Sequence, residues 1–333
     1  VITVAVFSRN FYNEILQKYL SNPNFFQVFF SDFYLIYAGS EILNQGNNPY
    51  KEWLEIYNTP LFPPPIVFHF FKFFTNFEYL IIIKFWFFFL FLSFLSIPII
   101  FFKIFELNLK FLYIFLICFG GITLSVFFTG NLSIVLSVFF AISLFFLSKE
   151  KDHLFYFILS ILSLIKFPYL IFFGIPFLLR DLNKKIFINT FFYLICITSI
   201  YLIFFYFDNE LFINWINSLK FSQFIGDNGD FGRGLFRILD SYFISENYLK
   251  FVIYFLISGI LFLFSIFLFK NSEILKNKKV AIAFSIIVFS MLLPRLKSYD
   301  VLVTIPCLFF IIQTLNFKIS RFLNSSIKFL LFL

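Results

Sequence analysis

Beyond residue 80 the chain is a series of apolar runs separated by short charged connections, which leaves a folded polypeptide few options. The runs occupy residues 80–102, 111–128, 131–148, 153–167, a short 169–179, 186–207, 250–269, 280–293 and 300–315, and a further one begins near Ser326. A helix needs about 20 apolar residues to cross the hydrocarbon core of a bilayer. In lipid every backbone N–H and C=O must be bonded within the protein, so such runs predict helices. The expectation is an all-α, polytopic integral membrane protein with about ten transmembrane helices in a single membrane domain, residues 1–333. Composition agrees, since 61% of residues are hydrophobic, 13% are charged and the mean hydropathy is +0.92, far from a soluble domain. The 64 Phe residues carry no functional weight, because the joint excess of Phe, Ile, Leu, Asn and Lys fits an AT-rich genome choosing among interchangeable apolar residues.

Two stretches break the pattern. Residues 8–60 are mostly polar, with Asn22-Pro23, Asn48-Pro49 and the turn signal Gln45-Gly46-Asn47-Asn48, and read as an ordered loop with short helices, one of them from Asp32 to Leu43. Residues 208–249 form a second large loop. Between the first loop and the first clear span, the prolines Pro60, Pro63, Pro64 and Pro65 precede a short apolar segment, Ile66 to Phe74, which carries His69 and Lys72 and reads as re-entrant or interfacial. Both chain ends fall in apolar runs and read as truncated.

Charge then orients the spans. With residues 8–60 outside, the loops 103–110, 149–152, 180–185, 270–279 and 316–325 fall inside, and they hold a dense set of Lys and Arg, from Lys103 and Lys110 to Lys318 and Arg321. Cytoplasmic loops carry such an excess. The 208–249 loop falls outside and is biased acidic, with Asp208, Glu210, Asp227, Asp230, Asp240 and Glu246 against Lys220, Arg233 and Arg237. Both large loops are thus extracytoplasmic and are expected to pack together over an outward cavity.

Topology accounts for the net charge of +8, so no nucleic-acid partner is implied. Cys118, Cys196 and Cys307 lie singly in apolar runs without metal-ligand spacing and read as small core residues.

Four polar islands share the outer face by this parity: Ser31-Asp32-Phe33-Tyr34, Thr129-Gly130-Asn131, Lys166-Phe167-Pro168, and Pro294 to Asp300. Their order resembles the polyprenyl-phosphate-sugar-dependent glycosyltransferases of the GT-C fold, and most closely glycosyltransferase family 87, typified by bacterial polyprenyl-phosphomannose-dependent alpha-mannosyltransferases. The resemblance runs over most of the chain. It is carried by Asp32-Phe33-Tyr34 with Tyr37 and Ala38, by Gly46-Asn47-Asn48-Pro49-Tyr50, and by Phe62-Pro63-Pro64. It continues with Gly130-Asn131-Leu132-Ser133, where the family's Gln is replaced, with Lys166-Phe167-Pro168 followed by Arg180, and with Pro294-Arg295-Leu296-Lys297-Ser298-Tyr299-Asp300.

The resemblance implies transfer of a hexose, mannose first, from a polyprenyl-phosphate donor to a lipid or glycan hydroxyl. It implies an active site on the extracytoplasmic face of a bacterial inner membrane and metal-independent chemistry without a cofactor. Asp227 and Asp230 have no third ligand nearby in sequence. The site residues expected to touch donor or acceptor are Tyr34, Tyr37, Tyr50, His69, Asn131, Lys166, Arg295, Lys297 and Tyr299, with Asp32 as the catalytic group.

Moving a sugar from a lipid phosphate to a hydroxyl needs a base for the acceptor and cations or hydrogen-bond donors for the departing phosphate. Asp32 suits the base, and one carboxylate acting alone implies inversion at the anomeric carbon, because a phosphate departs without protonation. Its plainer reading is a helix N-cap after Ser31. Lys166, Arg295 and Lys297 are able to hold a lipid phosphate, and cations of this kind equally snorkel to the interface. Tyr34, Tyr37 and Tyr50 are able to stack on sugars, although Tyr also marks membrane interfaces. His69 borders the donor cavity on one reading and is a packing residue on the other. Arg233 and Arg237, after Gly226, Gly229, Gly232 and Gly234, sit on a segment that would close over a substrate or form a plain solvated loop. The alternative function is a transporter or lipid flippase. That class predicts ionisable residues in mid-span or internal repeats, and neither is evident.

Overall fold

The structure, a computed structural model, describes residues 30–107, 126–179, 184–224, 247–272, 274–293 and 302–314, with Lys110 and Leu239 singly. Every regular element among the described residues is helical. Three short helices come first: α1 (Ser31–Asn44), α2 (Pro49–Tyr57) and α3 (Pro65–Phe71), the last continued by a 3-10 turn, Lys72–Asn76. Then follow α4 (Tyr79–Phe105), α5 (Ser133–Ser148) and α6 (Asp152–Ile165). A 3-10 segment, Phe167–Gly174, leads into α7 (Ile175–Leu179), and α8 (Lys184–Phe207) and α9 (Asn209–Phe224) complete the middle of the chain. After these come α10 (Asn247–Asn271), a 3-10 turn (Ile274–Lys276), α11 (Lys278–Met291) and α12 (Thr304–Thr314).

Among the described residues, three helices are long and apolar enough to cross a membrane: α4, α8, and α10 from Val252. At about 1.5 Å per residue, the 27 residues of α4 extend about 40 Å, more than the hydrocarbon core of about 30 Å. These helices turn large apolar side chains outward, among them Phe85 and Phe88 on α4, Phe191 on α8, and Phe255 and Leu263 on α10. So many large apolar side chains turned outward suit lipid rather than water. The other expected spans that the structure describes are shorter helices. The expected span 169–179 begins as 3-10 helix, which rises about 2.0 Å per residue instead of about 1.5 Å, so fewer residues cover a given depth. Most of the 111–128 run, and everything after residue 314, lie outside the described residues.

Side-chain contacts give the directions of the helices. Lys279 pairs with Glu106 at 2.7 Å and Lys278 with Glu150 at 2.9 Å, so the connections after α4, after α5 and before α11 share one end of the bundle. Helix α8 runs antiparallel to α6: Tyr193 donates to the His153 carbonyl at the start of α6, and Tyr201 donates to the Leu164 carbonyl at its end. Helix α10 runs antiparallel to α11, with Tyr254 donating to the Leu292 carbonyl and Phe269 meeting Phe284.

At the opposite end the short helices cover the bundle. Tyr37 donates to the Phe77 carbonyl at 3.0 Å, Asn44 to Thr75 at 3.2 Å, and the Phe33 ring lies 5.9 Å from Phe71 and 4.6 Å from Trp86. Residues 61–79 therefore begin and end at the same end of the bundle. A second core joins α1, α2 and α3 to α9 through Ala38, Tyr50, Trp53, Leu61, Phe68, Leu211 and Trp215. Lys51 pairs with Glu210 across the same junction at 2.5 Å. The described parts of the two large polar stretches thus pack against one another.

Candidate functional site

Helix α1 starts one residue before Asp32, and its N-cap position is Phe30, a buried residue at φ 121° with no side-chain cap. Positive φ in a bulky residue is strained and persists only where the surroundings enforce it. Asp32 is therefore the second helical residue, not the cap. Its charge sits in the first turn, where the helix dipole favours an anion.

The second island forms a left-handed turn. Helical residues 126–129 end at Gly130, φ +67°, with the Gly130 N–H donating to the Phe127 carbonyl and the Asn131 N–H to the Val126 carbonyl. The turn is fastened to α4 by the Trp86 indole N–H, which donates to the Gly130 carbonyl at 2.8 Å. So placed, the Asn131 amide donates to Asp32 Oδ2 at 2.7 Å, and its Oδ1 accepts the Ser133 backbone N–H at 2.8 Å.

The third island ends α6. Lys166 is extended, φ −141°, its N–H closing the helix on the Leu162 carbonyl, and Pro168 prevents the α-helix from continuing. The Lys166 ammonium reaches toward the start of α5 and donates to Ser133 Oγ over a long 3.4 Å.

These side chains line one cavity of about 700 Å³. Asp32, Asn131, Ser133 and Lys166 contribute its polar wall, and the Phe62-Pro63-Pro64 element and Trp215 close it from the short helices. Ser290, Leu293 and Val303, which flank the fourth island, also line it. The remaining lining is largely apolar. The cavity thus offers a carboxylate and an ammonium group at the edge of a greasy enclosure, where charge–charge interactions are less screened than in bulk water.

The other expected site residues lie elsewhere. Tyr50 is fully buried and donates to the Pro63 carbonyl at 2.6 Å, and burial pushes its hydroxyl well above its ordinary range. Tyr37 is buried too, its hydroxyl on the Phe77 carbonyl. Tyr34 packs against Trp53 and Tyr79; burial first, then the neighbouring Tyr57, raises its pKa. The His69 ring lies 5.5 Å from Phe204. None of these four lines the cavity. Arg295, Lys297 and Tyr299 lie outside the described residues, as do Asp227, Asp230, Arg233 and Arg237. Trp86 and Trp215 enter the site without having been singled out in the sequence; Ser133, which closes the Gly130-Asn131-Leu132-Ser133 motif, enters it without having been given a role.

No known protein family, curated protein or solved structure matches the chain.

Proposed function

We propose that this chain is an integral membrane glycosyltransferase that moves a hexose, mannose by the resemblance of its motifs, from a polyprenyl-phosphate donor to a lipid or glycan hydroxyl. The observation that carries the reading is the single cavity in which Asp32 and Lys166 are joined through Asn131 and Ser133. A carboxylate and an ammonium held apart in one enclosure are the two groups that this transfer demands.

In the proposed step the acceptor oxygen attacks the anomeric carbon and its proton passes to the Asp32 carboxylate. The bond from the anomeric carbon to the phosphate oxygen breaks, and its electron pair leaves with the polyprenyl phosphate. The donor phosphodiester carries one negative charge and the released monoester two, so a cation beside the leaving oxygen stabilises the transition state more than the ground state. Lys166 fills that role. Displacement from the opposite side inverts the anomeric centre. The apolar part of the enclosure suits the first isoprene units of the donor. The basic connections at the far end of the bundle support an orientation with the cavity outward; the bacterial inner membrane follows from the resemblance, and the figure of about ten crossings from the count of apolar runs.

The test is to incubate purified protein in liposomes with radiolabelled polyprenyl-phosphate mannose and glucose together with extracted lipids. Wild-type protein should move label out of the donor. Asp32→Asn, which keeps the size of the side chain but is not a base, should lower turnover by about a hundredfold to ten-thousandfold. Folded wild-type protein that transfers no label from either donor would rule the reading out.

A further inference from the structure

We infer that Asn131 is a positioning residue for Asp32, not a group that touches the sugar, and that Ser133 holds Lys166 in the same manner. The inference rests on the transferase reading. An amide side chain has one acceptor oxygen and two N–H donors. The Asn131 oxygen is committed to the Ser133 backbone N–H at 2.8 Å, which fixes which way the amide faces. Its nitrogen then necessarily turns toward Asp32, whose Oδ2 it meets at 2.7 Å. The amide cannot rotate without losing both bonds. Backbone order supports this arrangement: the left-handed Gly130 sets the turn, and the Trp86 indole pins it.

Two residues further on, Ser133 opens α5 and its Oγ accepts from the Lys166 ammonium at 3.4 Å. One turn of chain therefore sets both the base and the cation. Inverting displacement puts the attacking and departing oxygens on opposite sides of the anomeric carbon, so the spacing of the two groups that serve them affects the rate directly. A residue that fixes this spacing acts on kcat, whereas a residue that grips the sugar in ground and transition state alike acts on KM.

Asn131→Ser keeps an oxygen for the Ser133 N–H and removes the amide donor without adding a charge beside Asp32. In the liposome assay, with melting temperature followed in parallel, this variant should lower kcat about tenfold to a hundredfold, the range for losing a hydrogen bond to a charged group. Donor and acceptor KM should stay within about twofold. Asn131→Ser added to Asp32→Asn should cause no further loss, since it acts through a carboxylate already gone. Ser133→Ala, acting through Lys166, should lower kcat with acceptor KM unchanged, and Ser133→Thr should restore it.

A rise in donor or acceptor KM with unchanged kcat in Asn131→Ser, or an additive loss on the Asp32→Asn background, would make Asn131 a substrate contact and overturn the inference. So would full wild-type turnover in Asn131→Ser. Wild-type protein inert with every donor removes the transferase reading, and this inference with it; active wild type with an unaffected Asn131→Ser removes this inference alone.

Discussion

Trp86 donates its indole N–H to the Gly130 carbonyl over 2.8 Å, tying the first long apolar helix to the turn that carries Asn131. Both residues are buried, so water does not compete for the bond. The same ring stacks on Phe33 at 4.6 Å, the residue next to Asp32. One side chain thus bears on two of the islands that meet at the cavity.

Trp86→Phe keeps an aromatic ring against Phe33 and leaves the Gly130 carbonyl without its donor. A buried acceptor left unsatisfied costs about 1–3 kcal/mol. The melting temperature of the detergent-solubilised variant should fall by several degrees, and Trp86→Leu, which also loses the ring stacking, should fall further. A melting temperature equal to wild type for Trp86→Phe would show that the turn holds its place without the indole.

Gly130 and Gly46 both adopt positive φ, +67° and +86°. They differ in surroundings: a Cβ on Gly130 would collide with the Phe30 ring, whereas one on Gly46 would meet nothing within 4 Å. Gly46→Ala should cost only the backbone strain of a left-handed residue, about 1–2 kcal/mol. Gly130→Ala adds a clash with a buried ring and displaces the turn before Asn131. It should lower both melting temperature and transfer, and equal losses for the two variants would mean that Phe30 yields without cost.

The meeting of the first three islands was legible in the sequence because it needs only parity, while the fourth, Pro294 to Asp300, lies outside the described residues. Counting each apolar run as one crossing places Asp32, Asn131 and Lys166 at one end without any side-chain geometry, and the three line one cavity. The helix expected from Asp32 to Leu43 is present as Ser31–Asn44, since a polar start and a Gln45-Gly46 stop mark its ends. Tyrosine was less legible. Its ring fits a core and its hydroxyl fits any backbone carbonyl, and nothing in the spacing of Tyr37 or Tyr50 reveals that those hydroxyls bond to Phe77 and Pro63. The roles of Ser133 and Trp215 were not legible for a related reason: a serine opening a helix and a tryptophan in a polar stretch are too ordinary to stand out until the chain is folded.

His69, in the short helix α3 outside the long apolar helices, keeps an exposed surface, yet partial desolvation by its neighbours disfavours the charged ring and lowers its pKa from the ordinary 6.5; Asp208 opposes this and Lys72 adds to it. Between the lowered pKa and the ordinary one, the folded state binds fewer protons than the unfolded chain. Stability therefore rises with pH across that window and is lost as pH falls from about 6.5. Melting temperatures between about pH 5 and 7.5 should show this slope in wild type and a shallower one in His69→Gln. Identical slopes would mean that other groups govern the acid limb.

Lys166 offers the sharpest test of the cation, because its ammonium reaches Ser133 Oγ on the cavity wall while its backbone ends α6. Lys166→Met keeps the apolar stem and removes only the charge, so packing around the cavity should survive and melting temperature should change little. The loss should fall on chemistry: a weaker hold on the phosphate raises donor KM, and a poorer stabilisation of the doubly charged product lowers kcat. Losing a charge-assisted contact of about 1.5–3 kcal/mol corresponds to about tenfold to a hundredfold in kcat/KM. Lys166→Arg should recover part of this, since a guanidinium restores the charge with a different reach. Raising the salt concentration should weaken donor binding to wild type more than to Lys166→Met, because only the former has the electrostatic attraction to screen. If Lys166→Met matches wild type at limiting donor, the ammonium is an interfacial anchor, and the phosphate is held by other groups, with Arg295 and Lys297 the next to test.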